Sequence, residues 1–352
     1  MILIVGAGIS GLFTGYNLYK KGIKFIILEK QNIGGKIQSL KYGDSIIESG
    51  PSICHSNQKN ILTLCKELGI KLKNTSSKFY SYSNMIKTQQ LQYKSPIFKV
   101  KDILSVNDTS TFRESEYMFY NDWLTSVTKE GKYMYVEGGF ITIINALYNK
   151  LKKYIYKGEI IKIYNGQSDT LPIMVEIKSD KNIKKTTFYK IIFCTTMKQL
   201  YNIKFEKQIL NPTNIYTKTM ESLRVYVILD KPISHLNNIF SKYNVIYNKD
   251  FGLTIKISEY IILLIYTDGN HTFKMSKKEN IDTVAKFYSL DKNIIDTKIY
   301  LYKDAFDVVI SHKNLNYKLE NRIYQSAFPD RYNQAWLEGN LIQCKKILDC
   351  LC

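Results

Sequence analysis

The chain is poor in the residues that hold metals and build disulfide scaffolds. Four histidines, His55, His235, His271 and His312, are spread over 352 residues, and none is spaced to share a metal ion. The six cysteines form no C-x-x-C pair, which argues against zinc ribbons and thioredoxin-type redox motifs. All six are read as reduced thiols in a reducing compartment. Position 349, where a C-terminal prenylation box would need cysteine, is Asp349. No apolar run approaches the roughly 20 residues of a membrane span. The longest candidate, Ile261–Tyr266, has the length of a buried strand. No basic segment followed by an apolar stretch and cleavage site opens the sequence, so we expect a cytoplasmic product. Acidic residues are also scarce. Lys and Arg number 50 against 31 Asp and Glu, giving a net charge of +19. Such a charge raises the question of nucleic-acid binding. The lysines are scattered, though, in a sequence rich throughout in Ile, Lys, Asn and Tyr, and no specific nucleic-acid partner is expected.

The N-terminus reads ILIV-GAGISG. Four apolar residues in a row suit a strand buried on both faces of a parallel sheet. Gly6, Gly8 and Gly11 follow at the spacing of a dinucleotide-binding turn, with Ile9 and Ser10 between them. Gly6 serves the tight turn, Gly8 lets a pyrophosphate approach the backbone, and Gly11 lets the next helix pack against the sheet. The phosphates would sit at that helix's N-terminus, where N–H groups and the dipole favour negative charge. A helical segment ends near Gly22, and KFIILE forms a second strand ending at Glu29 and Lys30. A carboxylate there accepts hydrogen bonds from ribose hydroxyls and repels a 2′-phosphate, so the ligand is an unphosphorylated adenine dinucleotide, FAD or NAD.

Further motifs separate these two. Gly34-Gly35-Lys36, Glu48-Ser49-Gly50-Pro51-Ser52 and LCKELGI follow in order. Later come YVEGGFITIINAL with Gly138-Gly139, GEIIKI with Ile160, YKIIFCTT, and AFPDRYNQAWLEGNLIQ. In this series the chain resembles the FAD-dependent amine oxidase family, with its protoporphyrinogen oxidase and phytoene desaturase relatives. QAWLEGNL, SLRVYVILDKP and LLIYTDG are similar to segments of amine-oxidase-like proteins of large DNA viruses.

The resemblance implies non-covalent FAD held by Gly6, Gly8, Ile9, Ser10, Gly11, Glu29, Lys30, Gly35, Lys36, Gly50, Pro51, Ser52, Ile53, Ile160, Gln325, Ser326, Trp336 and Leu337. Lys36 stands where the family has arginine, keeping the charge and losing bidentate contact. Gln325-Ser326 stands where the family has Gly-Glu or Gly-Asp, so the carboxylate on the ribityl chain is missing. The active-site lysine of the family has no clear counterpart. Lys303 lies near the expected return strand, and His55 near the flavin. Arg224 is expected to orient a sheet.

The implied fold is α/β: a Rossmann-like FAD-binding domain with an interleaved α+β substrate domain on a mostly antiparallel sheet. The FAD domain is expected over 1–75, 136–205 and 305–352, and the substrate domain over 76–135 and 206–304. The implied activity is that of an FAD-dependent oxidase moving a hydride from a small amine to flavin, with reoxidation by oxygen. The competing readings are a catalytically silent flavoprotein with a structural or virion role, and a mutase- or desaturase-like flavoenzyme.

Overall fold

The computed structural model describes residues 1–74, 79–81, 133–165, 170–180, 182–207, 217–248, 251–268, 272–309, 318–320, 322–326 and 337–351. A parallel sheet organises the first half. Strand β1 (Ile2–Val5) runs between β2 (Phe25–Glu29) and β13 (Lys190–Phe193), with Ile4 opposite Ile27 on one side and Ile192 on the other. β9 (Ile155–Lys157) extends the sheet beyond β2. β21 (Ile323–Gln325) extends it beyond β13, and β20 (Lys318–Glu320) closes that edge antiparallel.

Alternate residues of β1 enter different cores, which explains its continuous apolar run. Ile2 and Ile4 join a cluster with helices α1 (Ile9–Lys20), α2 (Lys59–Glu67), α3 (Ile141–Leu151) and α6 (Leu337–Leu351). Leu3 and Val5 join a cluster on the other face. There a four-stranded sheet covers them, built from β10 (Glu159–Tyr164), β11 (Ile173–Ser179), β12 (Asn182–Phe188) and β14 (Lys204–Phe205). A short helix, α4 (Met197–Tyr201), lies between β13 and β14.

The second large sheet has six strands in the order β19-β15-β18-β17-β16-β7. They are β7 (Phe79–Ser81), β15 (Thr217–Leu229), β16 (Val245–Asn248), β17 (Gly252–Lys256), β18 (Ile261–Asp268) and β19 (Ile294–Val309). All pairs are antiparallel except β7–β16. β15 carries the alternation that a two-faced sheet requires. Leu223, Val225, Val227 and Leu229 pack with helix α5 (Lys278–Phe287). Tyr226 and Ile228 pack on the other face against Ile47, in the hairpin of β3 (Ser39–Tyr42) and β4 (Ser45–Glu48). The runs LRVYVIL, NVIYN and YIILLIY are thus strands β15, β16 and β18. The domain boundary expected at 305 falls inside β19. Apart from β7, the stretch 76–130 lies outside the described residues. Among the described residues, no helix is long and apolar enough to cross a membrane, and no group of three or more His, Cys, Asp or Glu could hold a metal.

Candidate functional site

The glycine turn after β1 is shaped by contacts that leave no room for side chains. Gly6 has φ +101°, and its N–H bonds Leu28 O at 2.8 Å. A Cβ on Gly11 would stand 1.8 Å from Gly6 O, so the helix closes directly onto the turn. Gly8 differs: a Cβ there would meet nothing within 4 Å. That open position is where a ligand would approach the backbone. Gly8 is also the N-cap of α1, with no side-chain cap and no acid in the first turn. The helix end therefore keeps its positive partial charge.

Glu29 sits under the same turn. Its Oε2 accepts the Ala7 N–H at 2.6 Å, and its Oε1 accepts that of Gln31 at 2.6 Å. Each carboxylate oxygen retains a further lone pair for a hydroxyl donor. Lys30 is held at the surface by Glu159, 2.6 Å away. Ile160 is buried in the cluster that contains Leu28, at an irregularity in β10.

The second glycine pair folds across the first. Gly34 N–H donates to Ala7 O at 2.8 Å, and a Cβ on Gly35 would lie 3.6 Å from the Gly8 Cα. Lys36 follows, half-buried. Desolvation lowers its pKa, while the charges of Asp304 and Asp307 act to raise it. Asp307 is itself buried, accepting Met197 N–H at 2.8 Å and Thr219 Oγ1 at 2.5 Å; burial pushes its carboxyl up. The next turn rests on Lys36. Ser49 Oγ donates to Lys36 O at 3.1 Å, and a Cβ on Gly50 would stand 2.2 Å from that oxygen. Pro51, Ser52 and Ile53 follow, all half-buried.

Buried Glu48 fixes this hairpin to α3. It accepts Ser39 Oγ at 2.6 Å and Phe140 N–H at 2.8 Å, beside the Gly138-Gly139 turn. Burial raises its pKa against these bonds and the Arg224 charge. The large sheet reaches the same turn. Arg224 is buried over the Tyr266 ring, 4.4 Å from its centroid, and donates from Nη1 to Ser49 O at 3.2 Å. Tyr226 donates its hydroxyl to Glu48 O at 2.8 Å, and burial raises its pKa.

Other predicted residues lie apart from this cradle or bond elsewhere. His55 is buried in β5 (Cys54–His55), and burial lowers its pKa. Its Nδ1 accepts the Asn57 N–H at 3.2 Å, so it holds the turn before α2. Lys303 is exposed on β19. Gln325 and Ser326 are buried at the end of β21, and Ser326 N–H donates to Phe193 O at 2.8 Å. Leu337 opens α6, half-buried; Trp336 lies outside the described residues.

Sequence reasoning missed Asp307 and Glu338. Glu338 is buried in α6 and accepts the N–H groups of Asn60 at 2.9 Å and Ile61 at 2.9 Å, capping α2. The only signal available was an acid set among apolar residues.

Comparison with known proteins agrees with this geometry. Residues 9–144 match the family model of flavin-containing amine oxidoreductases. Prenylcysteine oxidase 1 of Rattus norvegicus is 38% identical over 72 residues, 20% of this chain and 14% of that protein. A probable flavin-containing monoamine oxidase A of Dictyostelium discoideum is 34% identical over 71 residues, 20% of this chain and 16% of that one. The match thus spans about one-seventh of the length of these curated relatives. Solved structures of putrescine oxidase superpose over 99% of this chain and 98% of theirs. A variant redesigned for cofactor binding gives a TM-score of 0.72, and the wild type bound to putrescine gives 0.71, each at 10% identity. The fold is shared across the whole chain.

Proposed function

We propose that the chain is an FAD-dependent oxidoreductase of the amine-oxidase type, acting on a small amine and holding its flavin non-covalently. The observation that carries this reading is the double glycine cradle, in which Gly34-Gly35 lies across Gly8 above Glu29. The residues present fit the cofactor: the Gly8 face is open, the α1 end is uncapped by any side chain, and a cation stands beside them.

When bound, FAD supplies a hydride acceptor that oxygen can regenerate. The α1 N-terminus would receive the pyrophosphate, and Lys36 would offset its charge, with Asp304 and Asp307 favouring the protonated amine. Glu29 would accept the ribose hydroxyls, the Ile160 backbone would meet the adenine, and Gly50 through Ile53 would line the flavin. The sheet carrying Arg224, Tyr226 and Tyr266 covers the Glu48–Ser49 turn and keeps water from it. The forms QAWLEGNL and SLRVYVILDKP support an origin in a large DNA virus, with the protein in host cytoplasm or virion.

The absorption spectrum tests this reading. Purified protein should be yellow and release intact FAD with acid, and an amine added without oxygen should bleach it. Released FMN, or no flavin taken up on reconstitution, sinks the cofactor assignment. Bound FAD that no amine bleaches points to a silent flavoprotein.

A further inference from the structure

Strand β19 is an edge of the large antiparallel sheet. Among the described residues it pairs with β15 alone, on one side. The direction of its outer groups follows from the ladder. Leu229 N–H turns to the β18 side and donates to Tyr260 O at 2.9 Å, while Asp230 N–H turns to the β19 side and donates to Asn293 O at 3.0 Å. Residues of a strand alternate in this respect, so Val227 turns to β18 as Leu229 does. Thr297 stands opposite Val227, and its N–H and C=O therefore point off the open side of the sheet. The Thr297 N–H accordingly meets a side chain, Asp296 Oδ1 at 2.7 Å.

We propose that β19 pairs antiparallel with β19 of a second copy of this chain, about a two-fold axis at Thr297. The segment Ile295-Asp296-Thr297-Lys298-Ile299 is self-complementary under that reversal. Thr297 meets its own copy and exchanges backbone hydrogen bonds with it. Asp296 of each chain faces Lys298 of the other, and Ile295 faces Ile299. A two-fold contact makes each of these pairs twice. Opposite charges and β-branched side chains set directly across are contacts that stabilise an antiparallel pair. The shared ladder covers residues 294–300 of each chain, because β19 begins at Ile294.

Exposure of the same residues favours pairing over simple shielding of the edge. Charged side chains on an edge strand ward off other strands, and Asp296 with Lys298, 2.8 Å apart, would serve that end by themselves. The flanking positions, though, are apolar. Ile295 is 62% exposed and Ile299 48%. A shield has no use for such side chains, and an interface does. Ile295 has no partner in the ladder with β15, where an irregularity falls between Ile228 and Leu229, and the proposed ladder ends beside it. When the pair forms, Asp296 yields the Thr297 N–H to a carbonyl of the second copy and keeps its charge opposite Lys298. None of these residues belongs to the glycine cradle, so the proposal stands apart from the amine-oxidase reading.

Sedimentation velocity of the full chain, over a dilution series at micromolar concentration, tests the proposal. The expected result is a reversible monomer–dimer equilibrium. Hydrogen exchange of the wild-type chain should slow in residues 294–300 as concentration rises. Asp296→Lys sets base against base and Lys298→Asp sets acid against acid, so each should raise the dimer dissociation constant roughly tenfold or more. The double variant Asp296→Lys with Lys298→Asp restores opposite charges and should restore the dimer. Thr297→Pro removes the outward N–H, spares the ladder with β15, and should leave a monomer. A wild-type chain that stays monomeric at every concentration overturns the proposal, whether or not any variant folds. So does a dimer in which residues 294–300 exchange as fast as in the monomer, or one that both single reversals leave intact. A double variant with the wild-type circular dichroism that remains monomeric overturns it as well.

Discussion

The nucleotide cradle and the sheet wall that meets it are built on opposite plans. In the cradle the backbone does the work, and side chains are mostly kept away. Gly11 closes on Gly6 O, Gly34 bonds Ala7 O, and Gly35 approaches Gly8. In the wall side chains make the contacts, as Arg224 reaches Ser49 O and Tyr226 reaches Glu48 O. A backbone site tolerates almost no added atoms but is indifferent to its distant neighbours. A side-chain site tolerates conservative exchange but depends on which strands lie beside it.

The sharpest break of this contrast is inside the cradle itself. Gly11→Ala places a carbon 1.8 Å from a backbone oxygen, and overpacking costs about 1–3 kcal/mol or more. We expect a clear fall in urea midpoint and little flavin in the purified protein. Gly8→Ala adds a carbon where nothing lies within 4 Å, so its urea midpoint should match wild type while FAD affinity drops. Equal midpoints for the two variants would break the account of the turn.

Next comes Glu29→Ala. It removes a charged acceptor worth about 1.5–3 kcal/mol, which lowers FAD affinity roughly 10- to 150-fold. Titration of apo-protein measures it, and an unchanged dissociation constant moves the ribose elsewhere.

On the wall, Tyr226→Phe keeps the ring and removes the bond to Glu48 O. Stability should fall by about 1 kcal/mol in a denaturant titration, with FAD affinity unaltered. A loss of affinity with no loss of stability would make the wall part of the cofactor site.

The smallest effect concerns pH. Burial depresses the Lys36 pKa below 10.5, so the ammonium is lost as pH rises through that lowered value. Because the charged form favours an anionic ligand, FAD affinity should fall over that range and hold at lower pH. Lys36→Arg stays protonated, and its affinity should stay flat up to pH 10.5. Parallel titration curves for the two proteins would remove Lys36 from the site.

The same contrast sets what was legible in the sequence. Gly6, Gly8, Gly11 and Glu29 could be read because a local backbone requirement fixes both residue type and spacing. β1 and β15 could be read from continuous and alternating apolar runs. Arg224 and Tyr226 offered no such signal for their partners, which lie 175 and 178 residues away. His55 and Ser326 had neighbours chosen by packing, so His55 holds a turn and Ser326 donates its N–H to Phe193 O. Lys303 was picked by its place along the chain, and the pleat of β19 leaves it exposed.

The Glu338 cap on α2 has a consequence for synthesis. A carboxylate near the C-terminal end holds the amides of Asn60 and Ile61, and β21 lies beside β13 in the parallel sheet. On the ribosome the first two hundred residues emerge before either support exists. The N-terminal half must wait with an open sheet edge and an uncapped helix until residues 323–351 leave the exit tunnel. The N-terminal half is therefore completed only once α6 has been made and docks against α1 and α2.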